Sequence, residues 1–110
     1  MKKQTLKFEI ELDENNLPLN IEMHASDGVS DENGIKALMV SAWAAKTKET
    51  LRIDLWTKDM LVNEMLVMYH QTMMGMADTL DRSTGYDKLA GALRDYCEFF
   101  AEETEIKGTK

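Results

Sequence analysis

The chain has 110 residues, 44% hydrophobic and 30% charged, which suffices for a single globular domain with its own core. Its 13 basic and 20 acidic residues leave a formal charge of −7, which argues against nucleic-acid backbones and anionic lipid surfaces as main partners. One cysteine, Cys97, excludes an internal disulfide and fits a reducing compartment.

The start, Met1 to Thr5, is basic, but Leu6 to Leu12 alternates rather than forming a continuous apolar segment. No run approaches the roughly 18–20 apolar residues of a spanning helix. A cytoplasmic protein without membrane insertion is expected. Leu6, Phe8, Ile10 and Leu12 alternate with Lys7, Glu9 and Glu11, the pattern of a half-buried strand. Asp13-Glu14-Asn15-Asn16 is turn chemistry, and Pro18 suits a strand start. Leu19, Ile21, Met23 and Ala25 alternate with Asn20, Glu22 and His24, so residues 5–25 read as a hairpin with one apolar and one charged face.

Ser26 to Gly34 reads as a polar loop. A calcium loop with Gly34 at its sixth position would place Val29 and Val40 at ligand positions, and the motif fails. Ile35 to Lys46 suits either strand or helix; we favour a strand, paired with Leu51 to Trp56 in a second hairpin over 35–57. An odd-numbered loop centred near Lys48 would set Trp43 opposite Ile53 on the core face. Leu38, Val40, Ala42 and Ala44 would then share the other face with Trp56.

From Leu61 the period becomes helical. Met65, Met68, Tyr69, Thr72, Met76 and Leu80, widened by Leu66, Met73 and Ala77, predict a helix over 61–82. Gly75 weakens it by about 1 kcal/mol relative to alanine and suggests close contact with a neighbour. Thr84 is placed to cap a second helix over 85–104, with Asp87 three residues on and Leu89, Leu93, Tyr96, Cys97 and Phe100 as its stripe. Gly108 and the charged tail read as frayed. The expected fold is α+β: two hairpins forming a four-stranded antiparallel sheet, with two C-terminal antiparallel helices packed on one face, in a single domain over 1–110.

No catalytic or metal constellation emerges along the sequence. His24 and His70 stand far apart without paired ligand spacing, and both are expected on outward faces. Cys97 lies in an apolar stripe, where a thiol is inert. Asp78 and Asp81 read as a solvated face. No cofactor is expected, and the chain is not expected to be an enzyme. Six of the nine methionines lie between Met60 and Met76, and Met73 and Met74 are candidates for a partner groove.

The stretch Leu51-Arg52-Ile53-Asp54-Leu55-Trp56-Thr57-Lys58-Asp59-Met60 resembles the most characteristic segment of the gliding-motility GldC family. Leu12-Asp13-Glu14-Asn15 with Pro18 and Ile21-Glu22, His70-Gln71-Thr72 with Met76-Ala77-Asp78-Thr79, and Phe100-Ala101-Glu102 resemble other parts of it, in order, over about residues 5–106. The chain departs at Leu61, where that family often has proline. The resemblance implies a small soluble cytoplasmic accessory protein of the bacterial gliding machinery, with no active-site residues to carry over.

Two functions are weighed. One is a non-catalytic protein-interaction module, binding a gliding or envelope-machinery protein, or a second copy as a homodimer, through Leu38, Val40, Ala42 and Trp56, with Met73 and Met74 as a further surface. The alternative is a small-molecule-binding domain or minor enzyme with a pocket between sheet and helices, lined by Trp43, Tyr69 and Tyr96.

Overall fold

The computed structural model describes residues 2–27 and 30–106, with 30–33 described as backbone alone. The element order is β1 (Leu6–Leu12), β2 (Pro18–Ala25), β3 (Ser30–Ile35), β4 (Ala37–Ala44), β5 (Glu49–Trp56), α1 (Val62–Thr84) and α2 (Asp87–Thr104). The chain divides into two compact units, Met1–Met60 and Leu61–Lys110. The first holds all the strands and the second both helices.

The α+β class and the two C-terminal helices agree with the sequence pattern; a single four-stranded sheet does not. The strands form a three-stranded antiparallel sheet, β1-β2-β3, and a separate two-stranded ribbon, β4-β5. The first hairpin pairs Phe8 with Met23 and Ile10 with Ile21 on one face, and Lys7 with His24 and Glu9 with Glu22 on the other. Its turn is held by Asp13, whose Oδ1 accepts the N–H groups of Asn15 (2.8 Å) and Leu17 (2.9 Å), while Asn16 takes the left-handed conformation at φ 64°.

The third strand, Ser30–Ile35, falls largely on residues whose polar sequence predicts a loop. Ser30 to Gly34 has little intrinsic strand propensity, and the strand exists through pairing with β2, which sets Ile35 opposite Ile21. Gly28 and Val29 of the expected loop lie outside the described residues, as does the tail from residue 107. Ile10, Ile21 and Ile35 therefore form a row across three strands, and Ile21 at its centre is fully buried.

Strand is the state of Ala37–Ala44, while Ile35 ends β3 and residues 45 and 46 are turn; the register of the ribbon also differs from the expected one. The loop is the four residues 45–48, so Trp43 pairs with Thr50 and Val40 with Ile53. Lys48 closes it at φ 57°, with its N–H donated to Ala44 O (2.8 Å). A left-handed lysine carries no sequence signal; the pairing is offset by three residues from the expected one, and an odd offset changes which side chains share a face.

In α1 the first turn is capped by Glu64, whose Oε1 accepts the Leu61 N–H at 2.9 Å. Thr84 does not cap α2. It is the last residue of α1: its hydroxyl donates to Leu80 O (2.6 Å) and accepts the Tyr86 N–H (3.1 Å). Gly85 then ends α1 at φ 75°, a conformation its missing Cβ allows, and donates to Asp81 O (2.8 Å).

The two helices meet through an Arg94–Asp78 ion pair (2.9 Å) and the stacking of His70 on Phe100, whose ring centres are 6.3 Å apart. Ala77, Ala90 and Cys97 are fully buried. Of the expected stripes, Ala77 and Cys97 are fully buried and Met65, Met68, Leu80, Leu93 and Phe100 half-buried, but Tyr69, Met76, Leu89 and Tyr96 are exposed. His70, expected outside, is half-buried.

Gly75 does not mark a close approach. A Cβ built there meets nothing within 4 Å. Gly75→Ala is therefore expected to stabilise the protein by about 0.5–1 kcal/mol, through reduced unfolded-state freedom and better helix propensity. Urea denaturation of the two proteins measures this; an unchanged or lower midpoint would contradict the open geometry.

Candidate functional site

The ribbon has two faces of different chemistry. Cross-strand partners share a face, so Leu38–Leu55, Val40–Ile53 and Ala42–Leu51 make one side. That side is apolar at these positions and ends beside the loop at the Ala44–Glu49 pair, its one charged position. Leu38, Val40 and Leu55 are half-buried, while Leu51 is 58% and Ile53 54% exposed.

The other side carries Ala37–Trp56, Met39–Asp54, Ser41–Arg52 and Trp43–Thr50. Here Arg52 forms a fork on Asp54, Nη2 to Oδ1 at 2.6 Å and Nε to Oδ2 at 3.3 Å, and its Nη1 donates to the Ser41 hydroxyl. Trp43 and Trp56 project on either side of this polar staple and are both more than half exposed. Trp56 therefore does not share a face with Leu38, Val40 and Ala42, and Trp43 is not in the core. Of the helical candidates, Met73 is half-buried and Met74 exposed.

Trp56 leads into the turn Thr57 to Met60, which ties the two sheets together. Thr57 is buried; its N–H donates to Lys36 O (2.8 Å) and its hydroxyl to Asp59 Oδ1 (2.6 Å). Lys58 donates its N–H to Pro18 O (3.1 Å) and its Nζ to Asp13 Oδ2 (2.9 Å). Leu17, Pro18, Trp56, Thr57, Lys58 and Met60 line a shallow, open groove of about 180 Å³ there. Ligand clefts for small molecules are usually about 300–1,000 Å³.

Two carboxyls of this turn region titrate below their usual range. For Asp13 the main cause is the Leu17 N–H, followed by Lys58; for Asp59 it is the Thr57 hydroxyl. A lowered carboxyl contributes stability that is fully present above its unfolded pKa and is lost as the pH falls through the folded one. Asp13→Asn is thus expected to destabilise the protein at pH 7 and less at pH 3, below the unfolded value. Denaturant midpoints at the two pH values check this, and an equal loss at both would contradict it.

On the charged face of the first hairpin, His24 Nε2 lies 3.2 Å from Glu22 Oε1 and 3.4 Å from Glu9 Oε1. The other reactive groups are engaged structurally. Burial pushes the Cys97 thiol up, Asp78 holds Arg94, and no buried polar side-chain atom among the described residues lacks a hydrogen-bond partner. Trp43, Tyr69 and Tyr96, the aromatics of the expected pocket, are each exposed.

These elements define a small α+β protein of two antiparallel sheets and a helical hairpin, in which no described helix is long and apolar enough to cross a membrane. The family described as gliding motility-associated, GldC-like, matches residues 18–106, and the chain belongs to that family. The match takes in β2 through α2 and begins after β1. No curated protein and no solved structure matches the chain.

Proposed function

We propose that this protein is a non-catalytic, cytoplasmic interaction module of the gliding machinery, which docks a protein partner on the Leu38–Val40–Ala42–Leu51–Ile53–Leu55 face of the β4–β5 ribbon. The observation that carries the reading is the exposure of Leu51 and Ile53 on a face whose pairs are apolar from Leu38–Leu55 through Ala42–Leu51, with Glu49 opposite Ala44 only at its loop end. A two-stranded ribbon alone is marginally stable in water, and covering such a face stabilises it. Lys46 and Lys48 in the adjoining loop supply a polar rim. Family membership supports the motility context.

Ile53 is exposed, so Ile53→Glu leaves the fold intact while placing a charge in the docking face. Immobilised wild-type and Ile53→Glu proteins are compared as baits in lysate of a gliding bacterium, by quantitative mass spectrometry. The reading requires at least one protein that is retained by the wild type and depleted about tenfold or more by the variant, the loss expected of a central interface position. Identical retention on both baits would reject this face. Trp56→Ala, which alters the opposite side of the ribbon, is expected to leave retention unchanged.

A further inference from the structure

We propose that Glu9, Glu22 and His24 form a binding site for a divalent late transition-metal ion of the zinc, nickel and copper group, on the charged face of the first hairpin. The three ligand atoms lie within 4.8 Å of one another. Strand geometry places them: Glu22 and His24 are two apart on β2 and so share a face, and Glu9 is directly opposite Glu22 on β1. Glu22 and His24 are partly buried, with side chains 35% and 31% exposed.

Two of the three spacings are those of ligands around one ion. A tetrahedral ion with bonds of about 2.1 Å sets its ligands roughly 3.4 Å apart. The two His24–carboxylate separations, 3.4 and 3.2 Å, are of that size. The 3.2 Å contact to Glu22 is also a hydrogen bond, whereas 3.4 Å to Glu9 is long for one. One Nε2–H can also point at only one oxygen, whereas an ion between the three groups serves all of them. Two carboxylates directly opposed across strands repel, and a dication cancels both charges.

The donor set selects the class of ion. Imidazole with carboxylates suits zinc, nickel and copper(II), and without thiolate it does not select copper(I). Three protein ligands leave a coordination position open to water or to a group from another molecule. The same face also carries Lys7, opposite His24, and Glu11, opposite Asn20. Asn20 Nδ2 lies 3.5 Å from Glu22 Oε2 and helps orient that carboxylate. Ligand spacing along the sequence gave no hint of this cluster, because its members meet only through the strand register.

Calorimetric titration of the protein with zinc chloride tests the proposal. One saturable site is expected, weakened about tenfold or more by His24→Ala and by Glu9→Gln, and unaffected by Glu11→Gln. Zinc is also expected to raise the thermal midpoint of the wild type and not that of His24→Ala, with circular dichroism showing that each variant is folded. Sub-stoichiometric copper(II) should broaden the amide signals around residues 9, 22 and 24 first. Absence of saturable binding, or equal binding by wild type and His24→Ala, would overturn the site and assign any uptake to scattered surface carboxylates.

Discussion

Ile21→Ala is expected to cost about 3 kcal/mol of stability, the largest effect of any single truncation in the sheet. Ile21 is the only large aliphatic residue with no solvent exposure among the described residues, and it sits in the middle strand. Its neighbours in register are Ile10 on β1 and Ile35 on β3. Removing three carbons there takes packing from both flanking strands at once. It also leaves a void that a row of β-branched side chains, stiff about χ1, fills poorly. β3 suffers most, because its own sequence contributes little strand propensity and Ile35 is its apolar anchor. The urea midpoint reports the loss. Ile10→Ala, at a position already 36% exposed, serves as the comparison and should cost clearly less. Equal costs at the two positions would mean that β2 does not carry the core of the sheet.

Ala77→Leu is expected to destabilise the helical hairpin by about 2 kcal/mol. Ala77 is fully buried, one residue before Asp78, which pairs with Arg94 of the facing helix. Three added carbons have no open volume and must push the helices apart or force a poor rotamer. Helix propensity does not offset this, since leucine and alanine are both strong helix formers. Met74→Leu conserves volume at an exposed position of the same helix and should be close to neutral. If both substitutions are neutral by thermal unfolding, the helices do not approach closely at Ala77.

What could be read from the sequence followed the strength of each physical signal. The first hairpin was legible because Leu6 to Leu12 and Leu19 to Ala25 alternate without interruption, and the structure pairs Phe8 with Met23 and Ile10 with Ile21 accordingly. β3 was not, since Ser30 to Gly34 offers no apolar alternation and is strand only by virtue of its neighbour. The ribbon was legible as a hairpin but not in register. That register depends on Lys48 adopting φ 57°, a choice made by the fold and not by residue type. This slip separated Trp56 from Val40 and Ala42.

In the helices the period was clear and the phase was not. Ala77 and Cys97 lay on the expected stripes and are fully buried, but Ala90, which an apolar pattern weights lightly, is buried too, while the large stripe residues Tyr69, Met76, Leu89 and Tyr96 are exposed. The Glu9–Glu22–His24 cluster was invisible for a different reason. Metal motifs are sought as intervals along a chain, and these three residues become neighbours only when β1 lies against β2.

The most direct test of the docking face is site-specific photo-crosslinking in a gliding bacterium, with a photoreactive amino acid at position 53 and, separately, at position 7. Position 7 lies on the charged face of the first hairpin, opposite His24. Illumination is expected to give a discrete higher-mass product from position 53 and none from position 7. A product near twice 12.6 kDa identifies a second copy as the occupant, and any other mass a different partner. If position 53 gives no product, or if positions 53 and 7 give the same products, the apolar face of the ribbon is not where this protein meets its partner.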